Sequence, residues 1–216
     1  MKLAEGTKNW IIRPLSLSVI FLGLSLIFNN EKMSIVFLLI SVILILLTIL
    51  FIIFFRDPIR TIGEDIVAVA DGKIREIKKT KDKEIGDCFL ISTFMNIYNV
   101  HVNRMPYDGE ILDIKHISGS YIPAFKKESE KNERVVIVIK TDIGKIKIIL
   151  IAGTLARRIV PYIKKGDKIK KGDRISIIRL GSRVDIFIPS KIIKKIKIGK
   201  NDMIKAGEDS IVKIND

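Results

Sequence analysis

Ser182, His101 and Asp71 are the residue types from which a chain could build a peptide-bond-cutting site. Ser182 follows Gly181 in the run Arg179-Leu-Gly-Ser-Arg-Val-Asp-Ile-Phe-Ile-Pro189. A serine hydroxyl is a poor nucleophile until a base takes its proton. Once activated, it can attack the carbonyl of the residue before it and turn that amide into an ester. Elimination across the former serine then splits the chain. Glycine at position 181 suits the step, because it tolerates the bent backbone that the attack requires. Taken alone, a Gly-Ser pair marks only a turn.

His101 is one of two histidines. Imidazole titrates near neutral pH, so His101 can take a proton and return it. Its flanks, Val100 and Val102, predict a strand with the histidine and the valines on opposite faces. Asp71 ends an apolar run and precedes Gly72. A carboxylate there can hold an imidazole in one tautomer, as in a serine–histidine–aspartate arrangement. The plainer readings are a half-buried structural histidine and an ordinary Asp-Gly turn. His116, before Ser118-Gly119, reads as structural or near a substrate rather than as the base.

The elements that must position these groups lie after Pro58. Ile66–Ala70, Arg134–Lys140 and Lys145–Ile151 are short β-branched runs punctuated by Asp-Gly or Gly, the pattern of strands and turns. Helical periodicity is scarce there. The fold class is mainly β (α+β): an antiparallel, β-rich domain. Gly166-Asp-Lys-Ile-Lys-Lys-Gly172-Asp-Arg-Ile175 is echoed by Gly199-Lys-Asn-Asp-Met-Ile-Lys-Ala-Gly207-Glu-Asp-Ser-Ile211. Paired hairpins of this kind occur in barrel-sandwich elements like those that carry lipoyl or biotin. Lys205 lacks the flanks of a modified lysine and reads as a solvated turn residue.

Composition changes sharply near Arg56. Of 38 basic and 24 acidic residues, only four and two fall in residues 1–55, which leaves the remainder at a net +12. A basic domain next to an apolar segment suggests an anionic partner such as lipid headgroups. The single cysteine, Cys88, excludes an intrachain disulfide. Two apolar runs, about 11–28 and 33–55, flank Asn29-Asn-Glu-Lys32. Each reaches the length of about 20 residues that spans a bilayer, the first with Arg13 snorkelling. Trp10 would sit in the headgroup belt. Lys2, Lys8 and Arg13 precede the pair, and Arg56 and Arg60 follow it. The positive-inside bias therefore puts both ends on the cytoplasmic side of the cell membrane. The expected division is a two-helix transmembrane hairpin anchor at 1–55 and a folded domain at 56–216.

Six segments, in order, resemble the phosphatidylserine decarboxylase family in its short, archaeal-type form, archaetidylserine decarboxylase included. They are Phe54-Phe-Arg-Asp-Pro-Ile-Arg60, Ala70-Asp-Gly-Lys-Ile74, Val100-His-Val-Asn-Arg-Met-Pro106, Asn132-Glu-Arg134, Ile151-Ala-Gly-Thr-Leu-Ala-Arg-Arg-Ile159 and Gly181-Ser-Arg-Val-Asp185. The resemblance implies a lyase made as a zymogen, cut between Gly181 and Ser182 into chains 1–181 and 182–216. Ser182 would become a covalent pyruvoyl group, with no metal. Its ketone would condense with the amine of a serine phospholipid, and the resulting iminium would draw electrons from the carboxylate until CO2 leaves. His101 is the expected base and proton donor, with Asp71 orienting it. Some members carry a second histidine where this chain has Arg104. Arg104, Arg157 and Arg158 are candidates for the lipid phosphate or carboxylate, because the guanidinium fork suits both. The implied partners are the lipid, the membrane and the two cleavage chains as a heterodimer or higher oligomer.

Two other classes compete. A membrane-anchored lipoyl-like adaptor without activity predicts an intact polypeptide. A nucleic-acid binder accounts for the charge, but the chain shows no ribonucleoprotein-type aromatic motif.

Overall fold

The computed structural model describes residues 2–120, 122, 131–153, 158–178 and 182–215. It divides into two compact units, 1–58 and 59–216.

The first unit holds β1 (Lys2–Leu3), α1 (Lys8–Ile27), α2 (Glu31–Phe54) and β2 (Arg56–Asp57), with β1 and β2 antiparallel. The helix α1 starts earlier than the apolar run alone suggests. The side chain of Asn30 caps α2 by accepting from the Met33 amide at 3.2 Å, and Glu31 complements the positive end of the helix. Burial in this pair is inverted. Ser18, Ser25, Ser41 and Thr48 are buried, while most of the Leu, Ile and Val side chains are exposed. The small residues recur every seven positions on each helix, the repeat that keeps two helices in contact along one seam. Ser41 Oγ donates to the Ser18 carbonyl at 2.9 Å and Ser34 Oγ to the Ser25 carbonyl at 2.5 Å. Small residues and interhelical hydrogen bonds of this kind pack helices whose outer surfaces are apolar.

The second unit is antiparallel β throughout its ladders. Its strands are β3 (Ile66–Val67), β4 (Gly72–Asp82), β5 (Gly86–Met95), β6 (Val102–Arg104), β7 (Gly109–Ile117), β8 (Arg134–Thr141) and β9 (Gly144–Ala152). These are followed by β10 (Ile159–Pro161), β11 (Lys168–Ile169), β12 (Arg174–Ile178), β13 (Ser182–Pro189), β14 (Ile193–Ile196), β15 (Met203–Ile204) and β16 (Ser210–Ile214). One eight-stranded sheet runs β11-β7-β8-β9-β13-β5-β4-β15, and two three-stranded sheets run β10-β12-β6 and β14-β16-β3. Alternation sets which face is core. Ser182, Val184 and Ile186 of β13 share a face with Met95 and Ile91 of β5 and with Leu150 and Ile148 of β9, and all of these are buried.

The glycine echo is a fourfold structural repeat. In the turns at Lys164–Asp167, Lys170–Asp173, Gly199–Asp202 and Lys205–Asp209, the aspartate side chain accepts from the first residue's amide at 2.7–3.3 Å. Gly166, Gly172, Asn201 and Gly207 take a positive φ, from +74° to +90°. Each turn exchanges two backbone hydrogen bonds with one fully buried residue: Ile111, Met105, Ile74 and Ala68 respectively. The short Asp side chain closes each turn by accepting from the amide three or four residues before it, which is why the motif recurs in the sequence.

Candidate active site

Ser182 is the first residue of β13, a strand flanked on both sides. It pairs with Met95 on β5 and Ala152 on β9, is fully buried, and donates from Oγ to Met95 Sδ at 3.0 Å. A thioether is a weak acceptor and no base, so this contact parks the hydroxyl without activating it.

Asn132 supports the Ala152 side. Its Nδ2 donates to the carbonyls of Ile122 and Ala152 at 2.5 and 2.8 Å, and its Oδ1 accepts from the Ile122 amide at 2.8 Å. A fully buried amide with these bonds holds the end of β9 beside Ser182.

His101 immediately precedes β6 and is fully buried. Its Nδ1 lies 2.9 Å from the Asn99 carbonyl. A carbonyl can only accept, so Nδ1 carries a proton and Nε2 is the ring nitrogen left to take one up. The tautomer is thus set locally, two residues away. The valines on either side are buried as well, so both faces of this segment are covered.

Strand pairing gathers these groups. The Ile178 amide donates to the His101 carbonyl at 3.2 Å, and Val102 pairs with Ile177. Two connections therefore join the same pairs of strands. Residues 96–101 run from Met95, opposite Ser182, to β6, and residues 179–181 run from β12 back to Ser182. Ile178 and Ser182 are four residues apart, a span of at most about 14 Å.

Asp71 is buried. Its Oδ2 accepts from Arg60 at 2.7 Å and its Oδ1 from the Ala206 amide at 2.7 Å. Arg60 also donates to Glu208 at 3.0 Å. Burial would lower the Arg60 pKa, but the bond to Glu208 and the charge of Asp71 outweigh it and raise it. The hydrogen bond from Arg60 is the main cause that holds Glu208 below its ordinary value. The amide of Val67 donates to the Pro106 carbonyl at 3.0 Å and that of Arg104 to the Val69 carbonyl at 2.8 Å. These two bonds lay Val67–Val69 alongside Arg104–Pro106, two positions before Asp71. Gly72, after Asp71, is required for close packing: a Cβ there would collide with the Phe94 carbonyl.

The other expected residues are placed as follows. His116 is inside β7, with Nε2 3.0 Å from Glu133 Oε1. Arg104 is 5% exposed and donates to the Gly172 carbonyl at 2.9 Å. Arg158 is exposed. Gly181 and Arg157 lie outside the described residues. Lys205 is largely exposed, with Nζ 3.3 Å from Glu208. Asn99, Asn132 and Glu208 received no role from the sequence. Asn132 was visible only as a member of a short motif, and Arg60 only as a motif member and a cation flanking the apolar pair.

A profile of the family described as phosphatidylserine decarboxylase matches residues 47–212. A phosphatidylserine decarboxylase proenzyme from Streptomyces avermitilis is 46% identical over 148 residues, covering 68% of this chain and 67% of that one. Proteins provisionally named archaetidylserine decarboxylase proenzyme are similar over nearly the whole length. That of Methanococcoides burtonii is 38% identical, covering 98% and 96% of the two chains, and that of Methanosarcina barkeri is 37% identical, covering 98% of each. With this match spanning the segments that place Ser182, His101 and Asp71, the chain belongs to the phosphatidylserine decarboxylase family.

Proposed function

We propose that this chain is a lipid decarboxylase proenzyme that cuts itself before Ser182 and then converts a serine phospholipid, archaetidylserine or phosphatidylserine, into the ethanolamine lipid. Family membership supports the activity and leaves no support for an inactive adaptor. The observation that carries the site assignment is the shared connection between strand pairs: His101 is hydrogen-bonded to Ile178, four residues before Ser182.

In cleavage, Nε2 of His101 takes the Ser182 hydroxyl proton, Oγ attacks the Gly181 carbonyl, and the Gly181–Ser182 amide bond breaks as its nitrogen takes that proton, which leaves an ester on the serine oxygen. Removal of the Ser182 Cα proton then expels the Gly181 carboxylate. Water releases ammonia from the dehydroalanine and leaves a keto group at position 182. Asp71 orients and stabilises the imidazolium, a role supported by its burial and by the bonds that lay Val67–Val69 alongside Arg104–Pro106, the segment that His101 leads into. The site fits a keto group. Met95 and Ala152, opposite position 182, offer no amine or thiol to consume it, and pairing to β5 and β9 keeps the strand in place after the cut. The pyruvoyl group supplies the electron sink for loss of CO2 from the headgroup. His101 then returns a proton from Nε2 to the substrate. Arg157 and Arg158 contact the lipid anion. Arg104, held on Gly172, would reach that anion only with the donors this bond leaves over.

The seam of small buried residues and the apolar outer surface support a transmembrane hairpin for α1 and α2. The flanking cations put the 59–216 unit on the cytoplasmic side. The fourfold turn repeat supports a barrel-sandwich element. Intact-mass measurement of wild-type and Ser182→Ala protein tests the reading: the first should be two chains, the second one inactive chain.

A further inference from the structure

Self-cleavage, as proposed above, would sever the covalent link between two groups that the fold holds against each other. Arg60 and Asp71 fall in the larger product, Ala206 and Glu208 in the smaller. The Arg60 guanidinium spans both, at 2.7 Å from Asp71 and 3.0 Å from Glu208. Its side chain is 7% exposed and that of Asp71 is 9% exposed. The second Asp71 oxygen accepts from Ala206, in the fourth Asp-closed turn, and the Gly207 carbonyl of that turn accepts from the Gly63 amide at 3.0 Å. The Asp71 carboxylate is thus fixed from two sides by groups more than a hundred residues away in sequence on one side and eleven on the other.

We propose that Arg60 is a positioning residue: with the Lys205–Asp209 turn it clamps the Asp71 carboxylate and ties the small chain to the large one after the cut. The inference rests on the reading of Asp71 as the partner of His101. A planar guanidinium suits the task, since it can give one amino group to each carboxylate, whereas an ammonium presents a single point of charge. Removing it would leave the buried Asp71 carboxylate near the more exposed Glu208 with no cation between them, held only from the Ala206 side and able to turn or take up a proton. Glu208 alone would not serve, because an ionised carboxylate has no donor to offer Asp71.

The test is a time course of chain cutting after cell-free synthesis of the full chain with lipid vesicles, for wild type, Arg60→Ala and Arg60→Lys. The clamp predicts that Arg60→Ala is cut at least tenfold more slowly. Added guanidinium at tens of millimolar, well below denaturing levels, should restore at least a third of the wild-type rate. A merely structural loss would not respond to that ion. Arg60→Lys should be at least threefold slow, and it decides the matter if the alanine variant does not fold. Cutting of the folded Arg60→Ala chain within twofold of wild type, a slow rate that guanidinium leaves unchanged, or a wild-type rate in Arg60→Lys would overturn the clamp. An uncut wild-type chain would sink the cleavage reading and the clamp together; a cut wild type with equally fast variants would sink the clamp alone.

Discussion

His101 and Ile178 share a backbone hydrogen bond of 3.2 Å, from the Ile178 amide to the His101 carbonyl. Through it, a residue in the first half of the chain is fixed four positions ahead of Ser182. The imidazole is then tuned by a neighbour: the Asn99 carbonyl, 2.9 Å from Nδ1, leaves Nε2 as the basic nitrogen. If this nitrogen takes the Ser182 proton, His101→Ala and His101→Asn should slow chain cutting roughly a hundred- to ten-thousand-fold while leaving a folded, uncut chain. Denaturing gels over time, with thermal unfolding as a control, would show it. Wild-type cutting in either variant would remove His101 from the mechanism.

Asn132 makes three hydrogen bonds in full burial. Asn132→Ala should destabilise the folded domain by about 2–3 kcal/mol, because the Ile122 and Ala152 carbonyls lose their donor. For a chain of this size that lowers the melting temperature by roughly 4–12 °C. Calorimetry checks it, and a loss below 1 °C would show that these bonds are readily replaced by water.

Gly72 packs against the Phe94 carbonyl, and Phe94 pairs with Arg183, next to the cut. Gly72→Ala must push β4 from β5 at the point where Asp71 is held. The expected outcome is a fall of several degrees in melting temperature together with slowed cutting. Unchanged cutting with lower stability would separate the packing role from the site.

Titrating groups set a stability window. Burial would raise the Asp82 carboxyl, but hydrogen bonds from Lys147 and nearby amides hold it below its ordinary value. Glu208 is lowered chiefly by Arg60. For both, the stabilisation is complete above the unfolded carboxylate pKa of about 4 and is lost as pH falls through the folded value. Burial raises the Cys88 thiol and the Tyr107 hydroxyl. Their contribution is complete below the unfolded values of about 8.5 and 10 and is lost as pH rises through the folded ones. The urea midpoint of the protein should therefore be level between about pH 5 and 8, falling on either side. In Asp82→Asn the acid limb should flatten; an acid limb as steep as wild type would exclude that pair as its cause.

Local pattern made much of this legible. The runs at 134–140 and 145–151 became β8 and β9, because β-branched residues and a Gly144 turn leave few alternatives. The echo of glycines was visible as a pair. Its fourfold form was hidden, since the third turn uses Asn201 in place of glycine and the fourth carries an extra residue, Glu208. Ser182 and His101 stood out by type and by motif. Their supports did not. Arg60 and Glu208 are 148 positions apart, and nothing in either local sequence marks the other. The role of Asn99 depends on a ring orientation that only packing around His101 determines.

The intact mass of full-length protein extracted from membranes reads out the cut between Gly181 and Ser182. Two chains are expected, 1–181 and a 35-residue partner starting at position 182 whose first group reacts with a carbonyl reagent. A single unbroken translation product that still releases CO2 from a serine phospholipid would contradict it.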